Sequence, residues 1–221
     1  MRRREFLSLP ATALGGALLY TLSKEPFVVH AQQNGNLDVP LKFLTAEEAK
    51  IVAAAAARIF PTDTSGPGAN EAGVVIYIDR QLAGPYGKDK FRYTKGPWIR
   101  SVPEHGYQAK ESPREVYKSG IPMLEGFLSL TPAEQDDKLR SIERTTFFQM
   151  LRTHTVEGMF CDPMHGGNRD MIGWQLIGFP GPRMSYRQDI DLHHGEAFRP
   201  KPVSLAQVLG RPVKGWEEEH P

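Results

Sequence analysis

Residues 158 to 182 read Gly-Met-Phe-Cys-Asp-Pro-Met-His-Gly-Gly-Asn-Arg-Asp-Met-Ile-Gly-Trp-Gln-Leu-Ile-Gly-Phe-Pro-Gly-Pro, the densest cluster of conformationally special residues in the chain. We call this stretch the signature segment. Each of its glycines raises the entropy cost of ordering the backbone, and each proline removes a hydrogen-bond donor. The composition therefore predicts that no regular helix or strand runs through it and that its backbone follows a defined irregular path.

Several strings of the chain closely resemble the gluconate 2-dehydrogenase subunit 3 family. Within the signature segment these strings are Asp162-Pro163-Met164-His165-Gly166-Gly167-Asn168, then Gly173-Trp174, then Ile177-Gly178-Phe179-Pro180-Gly181. Upstream matches include Phe60-Pro61-Thr62-Asp63, Gly66-Pro67-Gly68-Ala69, Glu71-Ala72-Gly73 and Ile78-Asp79-Arg80-Gln81-Leu82. The resemblance therefore spans residues 40 to 182, with the uncommon strings in the family's order.

The resemblance carries implications for cofactors and partners. The family supplies the small subunit of periplasmic flavin-dependent dehydrogenases of sugars and sugar acids. It implies a large flavoprotein partner of the glucose-methanol-choline oxidoreductase type, which holds FAD. This chain itself has no dinucleotide fingerprint, haem attachment motif or catalytic cluster, so we expect it to bind no cofactor and to carry no catalytic residue. In many such complexes a multihaem cytochrome c subunit receives the electrons.

The N-terminus reads as an export leader. Arg3-Arg4-Glu5-Phe6-Leu7 fits a twin-arginine signal and precedes an uncharged run from Phe6 to Ser23. The arginines could supply only positive charge, but Phe6 and Leu7 stand at the offsets of the specific signal. We predict a signal peptide over residues 1–31, cleaved after Ala31, translocation by the twin-arginine machinery and a periplasmic location. An uncleaved anchor is the alternative, disfavoured by the Gly, Ser and Thr content of the run.

Composition bounds the fold and excludes some functions. The net charge of +1 offers no electrostatic footprint for nucleic acid. A hydrophobic content of 40% and a charged content of 24% are those of a soluble globular domain. The length of 221 residues suits one domain with a proper core. We therefore predict one domain. With the leader set apart and the resemblance ending at residue 182, it is a helical domain like that of the resembled family over residues 32–182, followed by a polar C-terminal tail over residues 183–221.

Helix signals recur along the predicted domain. Thr45 with Glu48, and Thr131 with Glu134, have the spacing of capping boxes, and Pro61 ends the first helix. Apolar stripes predict further helices from Glu115 to Leu130 and from about Thr145 to Met159.

For two stretches, local propensity alone does not predict the structure. Residues 74–78 are β-branched or aromatic and favour a strand. Their flanks match a helix of the resembled family, so a helix is predicted over residues 73–82. Residues 84–114 are rich in Gly, Pro and aromatics and predict a long ordered loop. The expected fold is all-α, with about five or six helices joined by long irregular Gly- and Pro-rich connections.

A metal site is the competing functional hypothesis. Its candidate ligands are His154, Cys161, Asp162, His165, Asp189, Asp191, His193 and His194. The chain lacks the His-Glu-x-x-His and Cys-x-x-Cys spacings, so a functional metal is disfavoured. A hydrogen bond beside the signature segment is the expected role of His154. Gly166 to Arg169 could cradle a phosphate, but without the spacing of the nucleotide-binding loops.

Cys161 is the only cysteine, which excludes an intrachain disulfide and an all-cysteine metal site within this chain. A small buried hydrophobe is its favoured role. An interchain disulfide or a reactive thiol is the alternative in an exported protein.

Two roles are open for the signature segment. Trp174 and Phe179 could anchor a partner at an interface, or pack back onto the helices. Gly166 and Gly167 are expected to take positive φ or to admit a close backbone, with Asp162 and Asn168 closing Asx-type turns. The predicted interface or structural residues are Asp162, Pro163, His165, Gly166, Gly167, Asn168, Trp174, Gly178, Phe179, Pro180 and Gly181.

These expectations together lead to one predicted function. The chain would be the non-catalytic small subunit of a flavin-dependent sugar, sugar-acid or polyol dehydrogenase, acting as export escort, maturation factor and stabilising partner of the FAD-carrying subunit. The alternative is a stand-alone periplasmic metal-dependent enzyme or a binding protein, using His154, Asp162, His165 and His193.

Overall fold

The computed structural model describes residues 39–92, 96–98, 102–105 and 110–210, together with the backbone of three short strands near the N-terminus. The strands β1 (Thr12–Leu14), β2 (Ala17–Thr21) and β3 (Pro26–His30) pair antiparallel in the order β1-β2-β3. They lie in the leader that the sequence sets apart from the domain. The described residues from 39 onward contain helices and no strand, which confirms the all-α fold.

Eight α-helices occur in the described chain. They are α1 (Ala46–Ile59), α2 (Val74–Ala83), α3 (Pro113–Gly120), α4 (Pro132–Ser141), α5 (Thr146–Phe160), α6 (Ile172–Ile177), α7 (Arg187–His193) and α8 (Leu205–Val208). Short 3-10 helices span Pro103–His105, Ile121–Leu124, Phe127–Ser129, Pro163–His165 and Arg169–Met171. The number exceeds the expected five or six because α6, α7 and α8 are short helices in stretches assigned to loop or tail.

Both predicted capping boxes form. The Thr45 hydroxyl accepts from the Glu48 amide at 3.2 Å, and the Glu48 carboxylate accepts from the Thr45 amide at 2.8 Å. Thr131 and Glu134 repeat the arrangement at the start of α4. In each box the two capping residues are only three positions apart, so the local sequence alone determines where these helices begin.

Helix α2 lies at the centre of the core. Its side chains from Val74 to Asp79, together with Leu82, are buried, and the helix packs against both α1 and α5. A helix that is apolar nearly all round requires neighbours on every side. Those neighbours explain why residues with strand propensity are helical here, and the predicted helix over residues 73–82 is confirmed.

Asp79, on α2, is a fully buried acid outside the predicted site residues. Its carboxylate accepts hydrogen bonds from the backbone amides of Lys42, Phe43 and Leu44 at 2.8, 2.9 and 2.9 Å. These bonds fix the chain entering α1 against the central helix. An acid inside an apolar run is the sequence signal for such a role, because a buried carboxylate needs hydrogen-bond donors.

The helix predicted from Glu115 to Leu130 is wrong in extent. Helix α3 ends at Gly120, and two separate 3-10 helices follow, Ile121–Leu124 and Phe127–Ser129. Pro122 cannot donate a helical hydrogen bond, and Gly126 takes a φ of +74° between the two 3-10 helices. The apolar side chains Ile121, Leu124 and Phe127 still reach the core, which explains the misleading stripe.

The signature segment and the region after it are also more structured than composition predicts. Helix α6 interrupts the segment, while α7 and α8 lie in the predicted polar tail, where Ser204 is buried and caps α8. The remainder of that tail, residues 211–221, lies outside the described residues. Across the described chain no helix is both long and apolar enough to cross a membrane.

Candidate functional site: the signature segment

Asp162 begins the signature segment's path away from α5. Its Oδ1 accepts from the Met164 amide at 3.0 Å, which is the expected Asx-type turn at the start of a 3-10 helix. Its Oδ2 accepts from the Leu205 amide at 2.7 Å, at the start of α8. The carboxylate therefore joins the signature segment to the region that follows it.

The adjacent glycines Gly166 and Gly167 serve different needs. Gly166 takes a φ of +94°, a conformation that favours glycine. Gly167 instead permits close approach, because an added Cβ would lie 2.2 Å from the Gly158 carbonyl oxygen on α5. Each of the two expected reasons for glycine applies at one position, and together they bring the loop backbone against α5.

Asn168 is fully buried and joins separate parts of the segment. Its Nδ2 donates to the Cys161 carbonyl at 2.8 Å, and its Oδ1 accepts from the Gly173 amide at 2.8 Å. The predicted Asx-type turn at Asn168 is therefore wrong. The side chain joins the end of α5 to the start of α6, so it satisfies buried backbone groups that have no neighbour in sequence to bond with.

Trp174 packs inside the chain. It is 4% exposed, and its Nε1 donates to the Phe160 carbonyl at the end of α5 at 2.7 Å. Phe179 meets it edge-on with ring centroids 5.1 Å apart and remains 36% exposed. Of the two aromatic residues, only Phe179 has a substantial surface to offer a partner.

The last residues of the signature segment pack against the chain that follows α7. The Val203 amide donates to the Pro180 carbonyl at 3.1 Å, and Gly181 is buried beside Val203. Gly178 is exposed next to the Arg199 side chain. With the bond between Asp162 and Leu205, these contacts make residues 199–205 a cover over part of the segment.

His154 occupies a buried position between two tyrosines. Tyr117 on α3 bonds to its Nδ1 at 2.9 Å, and Tyr86 bonds to its Nε2 at 2.8 Å. A neutral imidazole donates through one nitrogen and accepts through the other, so one phenol is an acceptor and the other a donor. His154 therefore has the expected hydrogen-bonding role, with one partner on α3 and a second in the loop after α2.

The other proposed metal ligands lie in different settings. His165 is exposed at the end of a 3-10 helix, whose first residue Pro163 is half-buried, and His193 stacks on Phe198 with centroids 3.7 Å apart. Among residues 39–92, 96–98, 102–105 and 110–210, no three His, Cys, Asp or Glu side chains form a group that could hold a metal ion.

Comparison of the sequence with models of protein families gives a match that includes most of the signature segment. The family model described as gluconate 2-dehydrogenase subunit 3 matches residues 46–181, from the start of α1 to the end of the Ile177–Gly181 string. The chain belongs to the gluconate 2-dehydrogenase subunit 3 family. No curated protein and no solved structure gave a significant match.

In this family member, residues beyond 181 pack on the matched region through Asp162 and Pro180. Arg3, Arg4, Phe6 and Leu7 of the leader, and the proposed cleavage point at Ala31, lie outside the described residues. The twin-arginine signal therefore stays a prediction from sequence.

Cys161 directly follows the last residue of α5 and is half-buried. Burial raises the pKa of its thiol to about 12, so the neutral form dominates at ordinary pH. The thiolate is the reactive species, and its suppression disfavours the reactive-thiol alternative. The side chain packs against the core, as expected of a small hydrophobe.

Acid should destabilise this subunit through His154. Burial lowers the pKa of His154 from 6.5 to about 4, so the unfolded chain takes up a proton before the folded one. The stabilisation is present above pH 6.5 and is lost as the pH falls through about 4. We expect a loss of about 3 kcal/mol across that interval, measurable by urea unfolding at several pH values.

Two variants test the assignment of this acid sensitivity. His154→Gln should flatten the pH dependence by one proton, because glutamine does not titrate. His194→Gln, at an exposed position next to α7, should leave the dependence unchanged. If His154→Gln keeps the full slope between pH 6.5 and 4, another group causes it.

Proposed function

We propose that this chain is the non-catalytic small subunit of a flavin-dependent dehydrogenase complex located in the periplasm. Its partner is a large flavoprotein of the glucose-methanol-choline oxidoreductase type that holds FAD and oxidises a sugar, a sugar acid or a polyol. The small subunit carries the export signal, escorts the loaded flavoprotein through the twin-arginine machinery and stabilises it afterwards. Electrons pass from the flavin to an acceptor such as a multihaem cytochrome c subunit.

One observation carries this proposal: a twin-arginine pattern, Arg3-Arg4-Glu5-Phe6-Leu7, stands at the head of a chain from a dehydrogenase subunit family. Twin-arginine export moves proteins that are already folded. Flavin has to be inserted in the cytoplasm, so a flavoprotein must fold before it crosses the membrane. A small subunit with the signal can carry a partner that has none.

The geometry of the signature segment supports a structural role for its polar residues. Asp162, Asn168 and the Trp174 indole all bond to the chain's own backbone. Their hydrogen-bonding groups are used to hold loops on α5 and α8. Exposed apolar side chains of the segment remain for contact with a partner: Met164, Ile177 and Phe179.

Export provides the direct test. Replacing Arg3 and Arg4 with lysine keeps the charge but removes the guanidinium pair, and should retain both this chain and the flavoprotein in the cytoplasm. The measurement is immunoblotting of periplasmic and cytoplasmic fractions, together with flavin-dependent dye reduction in each. Arg2→Lys is the matched control, because it leaves the pair intact, and should export normally.

The outcome separates the proposal from the metal-enzyme alternative. Unchanged periplasmic amounts of both proteins in the Arg3→Lys/Arg4→Lys variant would contradict the escort role. Stoichiometric metal and turnover in the purified mature chain, with no partner present, would favour a stand-alone enzyme.

A further inference from the structure

A preformed cleft of about 290 Å³ opens between the loop after α1 and helix α6. Its apolar walls are formed by Ile59, Phe60, Pro61, Gly66, Pro67 and Leu176. Asp63 and Ser65 also line it and are solvent-exposed, whereas Gly66 and Pro67 are buried, so the two polar residues lie at the mouth. Most of these residues fall in the upstream family strings, and Leu176 comes from the signature segment.

Backbone and ring contacts hold the cleft in shape. Asp63 and Gly66 exchange two backbone hydrogen bonds of 3.1 Å, and Phe60 packs edge-on against Phe160 at the end of α5. Leu176 fills the space left by the absent side chain of Gly66, where a Cβ would lie 2.7 Å from its Cδ1. The walls therefore come from elements fixed to each other, and the site needs no large rearrangement to accept a group.

The mouth of the cleft carries the Asp63 carboxylate, and Glu71 is a second acid close to it in sequence. The Asp63 carboxylate accepts from the Ser65 amide at 2.7 Å, and the nearby Glu71 carboxylate accepts from the Thr62 hydroxyl at 2.6 Å and the Gly68 amide at 3.0 Å. None of the ion pairs in the described part of the chain includes Asp63 or Glu71. A basic group from outside could therefore pair with Asp63 at the mouth.

We propose that this cleft receives one apolar side chain of the flavoprotein subunit, next to a lysine or arginine that pairs with Asp63. The inference rests on the proposed function. Small-molecule pockets usually range from about 300 to 1,000 Å³, so an open cleft at the low end suits a single anchor side chain better. Apolar pockets that take one anchor, with charge complementarity at the rim, are typical of interface hot spots.

Two variants of this chain test the cleft, each with the purified flavoprotein as the probe. That probe is the protein identified by its bound flavin and by mass spectrometry when the wild-type complex is isolated. Ser65→Trp places a large side chain at the mouth and should raise Kd about tenfold or more. Asp63→Asn keeps an acceptor for the Ser65 amide but removes the charge, and should raise Kd about threefold and weaken its salt dependence.

Controls keep the outcome decisive. Glu125→Gln removes an exposed acid on the turn after α3 and should leave Kd unchanged. All variants should keep the melting temperature of the isolated chain. If Ser65→Trp and Asp63→Asn bind like wild type while lysine at Arg3 and Arg4 still blocks export, the cleft proposal fails and the proposed function stands.

If the wild-type chain does not bind the flavoprotein, both proposals fail. Gel filtration of the isolated chain tests whether a second copy of this chain occupies the cleft instead. Self-association that Ser65→Trp abolishes would mean that a second copy fills the cleft, and the flavoprotein assignment would be wrong.

Discussion

Trp174→Ala should lower the stability of the isolated subunit by about 3–5 kcal/mol and its melting temperature by about 10 °C. The indole is 4% exposed and joins the signature segment to the end of α5. Its removal leaves a cavity beside Phe179 and an unsatisfied carbonyl at Phe160. Thermal unfolding followed by circular dichroism at pH 7 measures the effect.

Trp174→Phe is the matched control. It keeps most of the apolar volume but loses the hydrogen bond to the Phe160 carbonyl, so we expect a smaller loss of about 1–2 kcal/mol. The alternative role at an interface predicts the opposite result for alanine, with lost binding of the flavoprotein and an unchanged melting temperature. That result would contradict the buried, stabilising position of Trp174 in the isolated subunit.

Gly173→Ala should destabilise the subunit by about 3 kcal/mol or more, although alanine favours a helix. Gly173 lies in α6, and a Cβ there would lie 1.9 Å from the Met159 carbonyl oxygen on α5. Backbone atoms of two elements would have to separate, so the bond between the Gly173 amide and Asn168 would also be strained. Urea unfolding of the purified chain measures the free energy of unfolding.

The control for Gly173→Ala is Gly126→Ala. Gly126 has a φ of +74° and no atom within 4 Å of an added Cβ. Only backbone strain acts there, with an expected loss of about 1 kcal/mol. A stabilised Gly173→Ala variant would mean that helix propensity decides at this position and that α6 does not approach α5 as described.

Part of the signature segment's role follows from sequence and part does not. Glycines at positions 166 and 167 indicate a special backbone, and both reasons anticipated for them are realised. The partners of Asn168 could not be predicted, because the Cys161 carbonyl and the Gly173 amide become neighbours only when α5 and α6 pack. His154 is similar, since Tyr86 lies 68 residues away from it.

The sequence by itself determined the elements whose signals are local. Capping boxes at Thr45 and Thr131 act over three residues, so the starts of α1 and α4 can be predicted without any other part of the chain. The order of the family strings predicted the family. Composition, in contrast, predicted no regular helix through the signature segment, and that prediction is wrong because α6 and two 3-10 helices form there.

Only the tertiary structure decided three other features. Residues 74–78 form a helix because α1 and α5 surround them, against their own strand propensity. Trp174 faces inward because a carbonyl at the end of α5 accepts its N–H. Residues 199–205 cover the signature segment through Asp162 and Pro180. In each case the deciding partner is distant in the chain, and burial against it outweighs local preference, because apolar area and buried hydrogen bonds contribute more than propensity.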